Sequence, residues 1–192
     1  MSGVHHRVTR CCAARLSRLP AVEGPGLRRR AATAADTQAI GEITTAAYVA
    51  GGHLTPQDSY FQTLLDVAPR LEHTWVMVDA ADEIVAAIAI LPDGHPLGEA
   101  AEPGEWEFRF LAVRADHWGR GLGREFVAFA EDQARAAGAR GMALRVIDTN
   151  PRARELYEHL GYQHAPERDI TFESSTEPGR MLTLLLLAKP LG

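Results

Sequence analysis

Residues 114–124 read Arg114-Ala-Asp-His-Trp-Gly-Arg-Gly-Leu-Gly-Arg124. Glycines at alternate positions, Gly119, Gly121 and Gly123, free the backbone to bend tightly and to approach a ligand with no Cβ in the way. A helix is expected to begin here, and its first N–H groups lack partners and carry the positive end of the helix dipole. With Arg120 and Arg124 adding charge, the segment predicts a cradle for a phosphate group. A P-loop would continue Gly-Lys-Ser/Thr, whereas Gly123 is followed by Arg124-Glu125, so that option fails. A dinucleotide fingerprint spaces its glycines G-x-G-x-x-G directly after a strand. Here the spacing is G-x-G-x-G, and five residues separate Val113 from Gly119. Asp148, at the end of the next strand, could serve as its ribose-binding acid, so this alternative stays open.

A second segment reads Asn150-Pro-Arg-Ala153-Arg-Glu-Leu156-Tyr157-Glu-His-Leu160-Gly161-Tyr162. Together the two segments resemble the GNAT acetyltransferase core. That family carries Gln/Arg-x-x-Gly-x-Gly/Ala after its fourth strand, and here the motif is Trp118-Gly-Arg-Gly121-Leu-Gly123, with Trp118 in place of the leading Gln/Arg. The later segment is similar to the family's N-x-x-A-x-x-L-Y-x-x-L-G-F/Y. The specific part of the resemblance spans residues 107–162, inside a body that begins near residue 28.

The resemblance implies a mixed α/β (α+β) fold of the GNAT type, with a central sheet of about seven strands flanked by about four helices and splayed between strands 4 and 5. It implies acetyl-coenzyme A as cosubstrate, a primary amine as acceptor, and direct transfer in a ternary complex. Gly119, Arg120, Gly121, Leu122, Gly123 and Arg124 would grip the pyrophosphate, largely through backbone N–H groups. Leu111, Ala112 and Val113 would lend backbone to the pantetheine arm, with an N–H near Leu111 polarising the thioester carbonyl. Glu107 stands where the histone-acetylating branch places its base, although Arg109 on the same strand face offers it an ion pair instead. Tyr157 would protonate the departing thiolate. Asn150 would bond the pantetheine, cap its own helix, or do both. The rival from another class is a non-catalytic acyl-coenzyme A-binding module.

These residues need a scaffold, and the pattern supplies one. A short strand is expected at 27–31, then a helix opened by a Thr33–Asp36 capping box, with Ile40, Ile43 and Ala47 on its apolar stripe. Thr55-Pro56 with Asp58 predicts a second helix running to about residue 69. Strands are expected at 74–79 and 84–91, joined by a tight turn, and then a polar loop at 92–104 of the length that binding loops have. Strand 105–113, helix 121–137, strand 142–147 and helix 151–160 follow. Two last strands are expected near 162–172 and 181–189.

The chain has 192 residues, 46% hydrophobic and 23% charged, the balance of a soluble globular protein with one domain spanning 27–192. Residues 1–30 carry a net +6 and the remainder −11, so a basic tail precedes an acidic body. The tail, residues 1–26, reads as a disordered extension or as upstream sequence translated from an early start. Both cysteines, Cys11 and Cys12, lie in it, which excludes a cysteine nucleophile in the body and is compatible with a reducing cytoplasm. No histidine pair has H-E-x-x-H spacing, so no metal is expected, and His53 and His117 read as loop or surface residues. Nothing interleaves basic and aromatic residues as a nucleic-acid module would, and no apolar run is long enough to cross a bilayer. A homodimer is an open possibility. The acidic body mildly favours cationic acceptors.

Overall fold

The structure, a computed structural model, describes residues 26–192. The expectation for the tail therefore falls, apart from Gly26, outside the described residues. β1 (Arg28–Ala31) leads through a short 3-10 turn (Ala34–Asp36) into α1 (Thr37–Ala50). The expected capping box is present: the Asp36 carboxylate accepts from the Thr33 N–H at 2.7 Å and from its hydroxyl at 2.7 Å. Arg30 grips the same carboxylate with both Nη atoms, at 2.7 and 2.8 Å, so the cap also ties helix to strand. These charge-assisted bonds hold the Asp36 carboxyl well below the usual carboxylate range, Arg30 contributing most.

The second helix is shorter than its start signal suggests. α2 covers only Tyr60–Leu65, and a 3-10 stretch, Ala68–His73, follows it. Asp58 does accept from the Thr55 N–H at 2.6 Å, but that bond closes a turn and no helix continues from it. Capping chemistry at Thr55 is thus local turn chemistry, which any Asp three residues after a Thr can satisfy.

β2 (Thr74–Val78), β3 (Ile84–Leu91) and β4 (Glu105–Val113) then form antiparallel neighbours. A 3-10 turn (Ala115–His117) leads to α3 (Leu122–Ala136), and β5 (Gly141–Ile147) and α4 (Pro151–His159) come next. The strand expected at 162–172 is broken by a 3-10 turn at Pro166–Arg168 into β6 (Gln163–His164) and β7 (Ile170–Glu173). Pro166 cannot donate to a ladder, which accounts for the interruption. Both pieces pair with β8 (Met181–Pro190), giving eight strands.

The sheet order is β1-β2-β3-β4-β5-β8-β6, with β7 also on β8, and β4–β5 is the one parallel pair in the sheet. A doubly wound dinucleotide fold needs a mostly parallel sheet, so that alternative falls. One face packs α3 and α4 through Phe108, Phe126, Leu144, Tyr157 and Leu187. The other face packs α1 through Ile40 and Ile43 against Val76 and Ala87, and α2 through Leu64 against Phe110 and Leu91.

Candidate active site

β4 and β5 pair only at Glu105–Gly141, Trp106–Met142 and Glu107–Ala143, although β4 continues to Val113 and β5 to Ile147. Beyond Glu107 the strands part, as the resemblance implied. The parting coincides with a bulge: the β3–β4 register shifts between Ala87 and Ala89, and Phe110 takes a left-handed φ of 56°. Such a conformation is unfavourable for a bulky residue and persists only where surroundings enforce it. Here the Phe110 ring meets two guanidinium groups, Arg70 at 4.1 Å and Arg109 at 5.0 Å from its centroid.

Past the bulge, backbone direction can be read from one bond. Arg114 N–H donates to Val85 O at 2.9 Å, so Ala112, two residues back, also turns its backbone toward β3. Leu111 and Val113 then turn theirs toward the opening. Of the three expected pantetheine partners, two thus face the gap and Ala112 sits in the β3 ladder. Trp118, which replaces the family's Gln/Arg, donates its indole N–H to Val113 O at 2.7 Å and has the Arg152 guanidinium 4.8 Å from its ring. Its function is to close the loop back onto the strand it left.

The glycine loop leads from that closure to α3. Gly119 and Gly121 have φ of 80° and 83°, and a Cβ at either would meet no protein atom within 4 Å. Gly123 already lies in the helix, where a Cβ would come within 3.3 Å of Leu156. The first helical backbone bond of α3 is Glu125 N–H to Gly121 O, at 3.0 Å. The N–H groups of Gly119, Arg120, Gly121, Leu122, Gly123 and Arg124 consequently find no acceptor among the described residues. Six adjacent unpaired donors at the positive end of a 15-residue helix, beside two arginines, fit a pyrophosphate.

Tyr157 projects from α4 against Phe108 (centroids 5.6 Å apart) and Tyr162 (6.1 Å). Burial pushes its phenol well above the ordinary tyrosine range, so it holds its proton at any physiological pH. Its hydroxyl makes no hydrogen bond among the described residues. Asn150 caps α4, its Oδ1 accepting from Ala153 N–H at 3.0 Å, which leaves its NH₂ for a ligand. Asp148 is occupied otherwise: its Oδ2 accepts from Thr183 N–H at 3.2 Å.

Glu107 is 2% exposed, so the ion pair weighed for it with Arg109 is present but long and buried rather than at the surface. Its Oε2 accepts from the N–H groups of Glu99 and Ala100, both at 2.7 Å, while Oε1 lies 3.7 Å from Arg109 Nε. Loop 92–104 is held by other side chains too. Arg109 donates to Leu97 O (2.7 Å), Arg145 to Glu99 O (2.6 Å) and Arg168 to Ala100 O (2.5 Å). The loop is therefore tied down along residues 97–100 and forms a fixed wall on one side of the opening.

Beside that wall stand three residues with no site role legible in the sequence: Tyr48, expected only on the apolar stripe of α1, Tyr60 and Arg70. Tyr48 sits on α1, where burial raises its phenol and nearby Tyr60 and Tyr157 raise it further. Arg109 Nη2 points at the Tyr60 hydroxyl from 3.5 Å. No spacing rule connects positions 48, 60, 70 and 109; α1, α2, the 3-10 stretch at Ala68–His73 and the bulge bring them together. His117 is buried rather than at the surface, its Nδ1 2.8 Å from Asp116 Oδ1. Glu72, His73 and His95 place ligand-type atoms within 4.8 Å of one another. Nδ1 of His95, however, accepts the Leu97 N–H at 3.1 Å, so a neutral ring carries its proton on Nε2 and has no free lone pair to offer a metal.

Residues 37–162 match the acetyltransferase (GNAT) family. No curated protein sequence matches significantly. Among solved structures, the chain is similar to a GCN5-related N-acetyltransferase from Kribbella flavida, at 25% identity and TM-score 0.61, over 86% of this chain and 98% of that one. It is similar in fold to the ribosomal-protein-S18-alanine N-acetyltransferase of Escherichia coli, at 18% identity and TM-score 0.64, over 86% and 94%. The fold also matches yncA of Salmonella typhimurium, solved with its cofactor acetyl-CoA, at 20% identity and TM-score 0.62, over 87% and 95%. A sheet that opens between β4 and β5 into a glycine-lined helix start, and a family match over most of the described chain, lead to one assignment: the chain belongs to the acetyltransferase (GNAT) family.

Proposed function

We propose that this protein transfers the acetyl group of acetyl-CoA directly to a primary amine while both substrates are bound. The observation that carries this reading is that β4 parts from β5 beyond Glu107 and then leads, six residues after its end, into the six unpaired N–H groups of Gly119–Arg124, donors suited to a long anionic cosubstrate. Gly119–Arg124 hold the pyrophosphate, and the backbone of Leu111 and Val113 pairs with the pantetheine amides. Leu111 N–H donates to the thioester carbonyl, where negative charge gathers as the amine attacks. Glu107 takes the amine's proton through Oε1, the oxygen that the loop amides leave open. Tyr157 gives its hydroxyl proton to the sulfur as the C–S bond breaks, and recovers one from solvent.

Engagement of Glu107 Oε2 by two loop amides favours a second reading, a module that binds acyl-CoA without turning it over. The deciding experiment is thiol release from acetyl-CoA in the presence of a panel of amines. Release that depends on the amine supports transfer. Tight coenzyme A binding with no release on any amine supports the module.

A further inference from the structure

Charge on the amine side of the opening does not balance. Arg70 is 2% exposed, and its guanidinium donates to the carbonyls of Thr63, Leu64 and Asp66, with no carboxylate in ion-pair contact among the described residues. Arg145 gives its Nη hydrogens to the carbonyls of Glu99 and Arg168, and its Nε is buried with no partner. Arg109, between them, is met by Glu99 at 2.9 Å and less closely by Glu107 at 3.7 Å. Of the three guanidinium groups only Arg109 is thus in ion-pair contact with a carboxylate among the described residues, and Arg70 feels Asp66 only from longer range. Arginine cannot shed its proton, and buried charges in proteins are normally paired.

The opening also has a donor to spare. Arg109 Nη1 is taken by Leu97 O and Glu99, but Nη2 has only the long 3.5 Å contact to Tyr60 Oη. Phe110, in contact with both Arg70 and Arg109, helps fix where that guanidinium lies. Arg109 and Arg145 each stand two residues past the last β4–β5 pair, Glu107–Ala143, and so flank the point where the strands part, on the face covered by loop 92–104.

We infer that the acceptor is a small primary amine bearing its own carboxylate, which Arg109 receives at Nη2, with Arg70 and Arg145 supplying the surrounding positive charge. This inference rests on the acetyl-transfer reading above. The carboxylate supplies the missing negative charge and takes a planar donor suited to it. The amine at the other end then reaches toward Tyr157 and the opening. The net acidity of the chain points the other way, toward cationic acceptors, but charges more than about 10 Å away through solvent are largely screened, so the local arginines govern.

The test uses the full chain and matched pairs: free amino acids, their C-terminal amides, and the corresponding amines lacking the carboxyl group. kcat/KM for acids should exceed that for amides by about tenfold or more, equivalent to about 1.4 kcal/mol. Arg109→Gln should narrow this ratio toward one, mainly through KM of the acid. Because Arg109 also ties down Leu97, Arg145→Gln is the second variant, and it should narrow the ratio in the same direction. Coenzyme A affinity, read by calorimetry, should stay unchanged in both. Equal rates on acid and amide, or a preference for the bare amine, overturn the inference while leaving acetyl transfer standing. If no amine releases thiol, acetyl transfer fails instead. Calorimetry of an N-acetyl amino acid against its amide, on protein loaded with coenzyme A, then decides the carboxylate site by itself, and equal binding overturns it.

Discussion

Glu107 holds two positions at once, and its two oxygens divide them. Oε2 anchors the amides of Glu99 and Ala100, while Oε1 faces Arg109 from 3.7 Å and is the oxygen that takes the amine's proton in the proposed reaction. The amide of Glu107→Gln can keep the anchoring oxygen in place and removes only the proton-accepting charge, whereas Glu107→Ala removes both. We expect Glu107→Gln to lower kcat/KM by about 10²–10⁴-fold near neutral pH and to recover partly at high pH, where the amine arrives deprotonated. Tyr157→Phe should lower turnover with little recovery, because burial keeps the phenol protonated across the whole range. Acetyl-CoA affinity should move little in either. A pH–rate profile of the wild type and both variants is the measurement. Full activity in Tyr157→Phe would leave that residue a packing aromatic against Phe108, and wild-type behaviour in Glu107→Gln would reduce it to the loop anchor.

Among the elements, α1 depends on a cap that doubles as a tie to β1. Replacing Asp36 with Ala removes the Thr33 bonds and leaves Arg30 without its carboxylate, at a cost of about 2 kcal/mol in denaturant unfolding. Sign follows from the lowered carboxyl. The contribution is fully present above the unfolded carboxyl's pKa of about 3.9 and is lost as pH falls through the still lower folded value. Wild type and Asp36→Ala should therefore converge in stability only in strong acid. A gap that persists unchanged there would mean the carboxylate was not its source. Legibility also divides at this scale. The Thr33–Asp36 box and the Gly119–Gly123 loop were readable because their chemistry is local. The bulge at Phe110 was hidden, since Glu107-Phe-Arg-Phe110 alternates like an ordinary strand and Leu111-Ala-Val113 continues it as a buried one. Arg70 gave no sign of burial, because it is the carbonyls of Thr63, Leu64 and Asp66 that draw it inward, and only the folded chain supplies them.

For the molecule as a whole, cosubstrate grip and stability should separate at the glycine loop. A side chain at Gly121 meets no protein atom, but φ of 83° there strains any L-residue by about 1–2 kcal/mol. Gly121→Val should fold with modestly reduced stability and bind coenzyme A at least about tenfold more weakly by calorimetric titration. Unchanged affinity in a folded variant would place the pyrophosphate elsewhere.

The short β4–β5 ladder has a mechanical meaning. Within the sheet, β1–β4 and β5–β8 meet along a seam of three residue pairs, and everything beyond Glu107 and Ala143 is unstitched. In the proposed reaction, a cosubstrate whose amides pair with Leu111 and Val113 acts there as a borrowed ninth strand, mending the seam for the duration of one turnover. Each catalytic cycle then ends with the protein giving back part of its own sheet. Amide hydrogen exchange at Leu111 and Val113 should accordingly slow when coenzyme A is added, and slow far more than at Ala112, which is already sewn to β3.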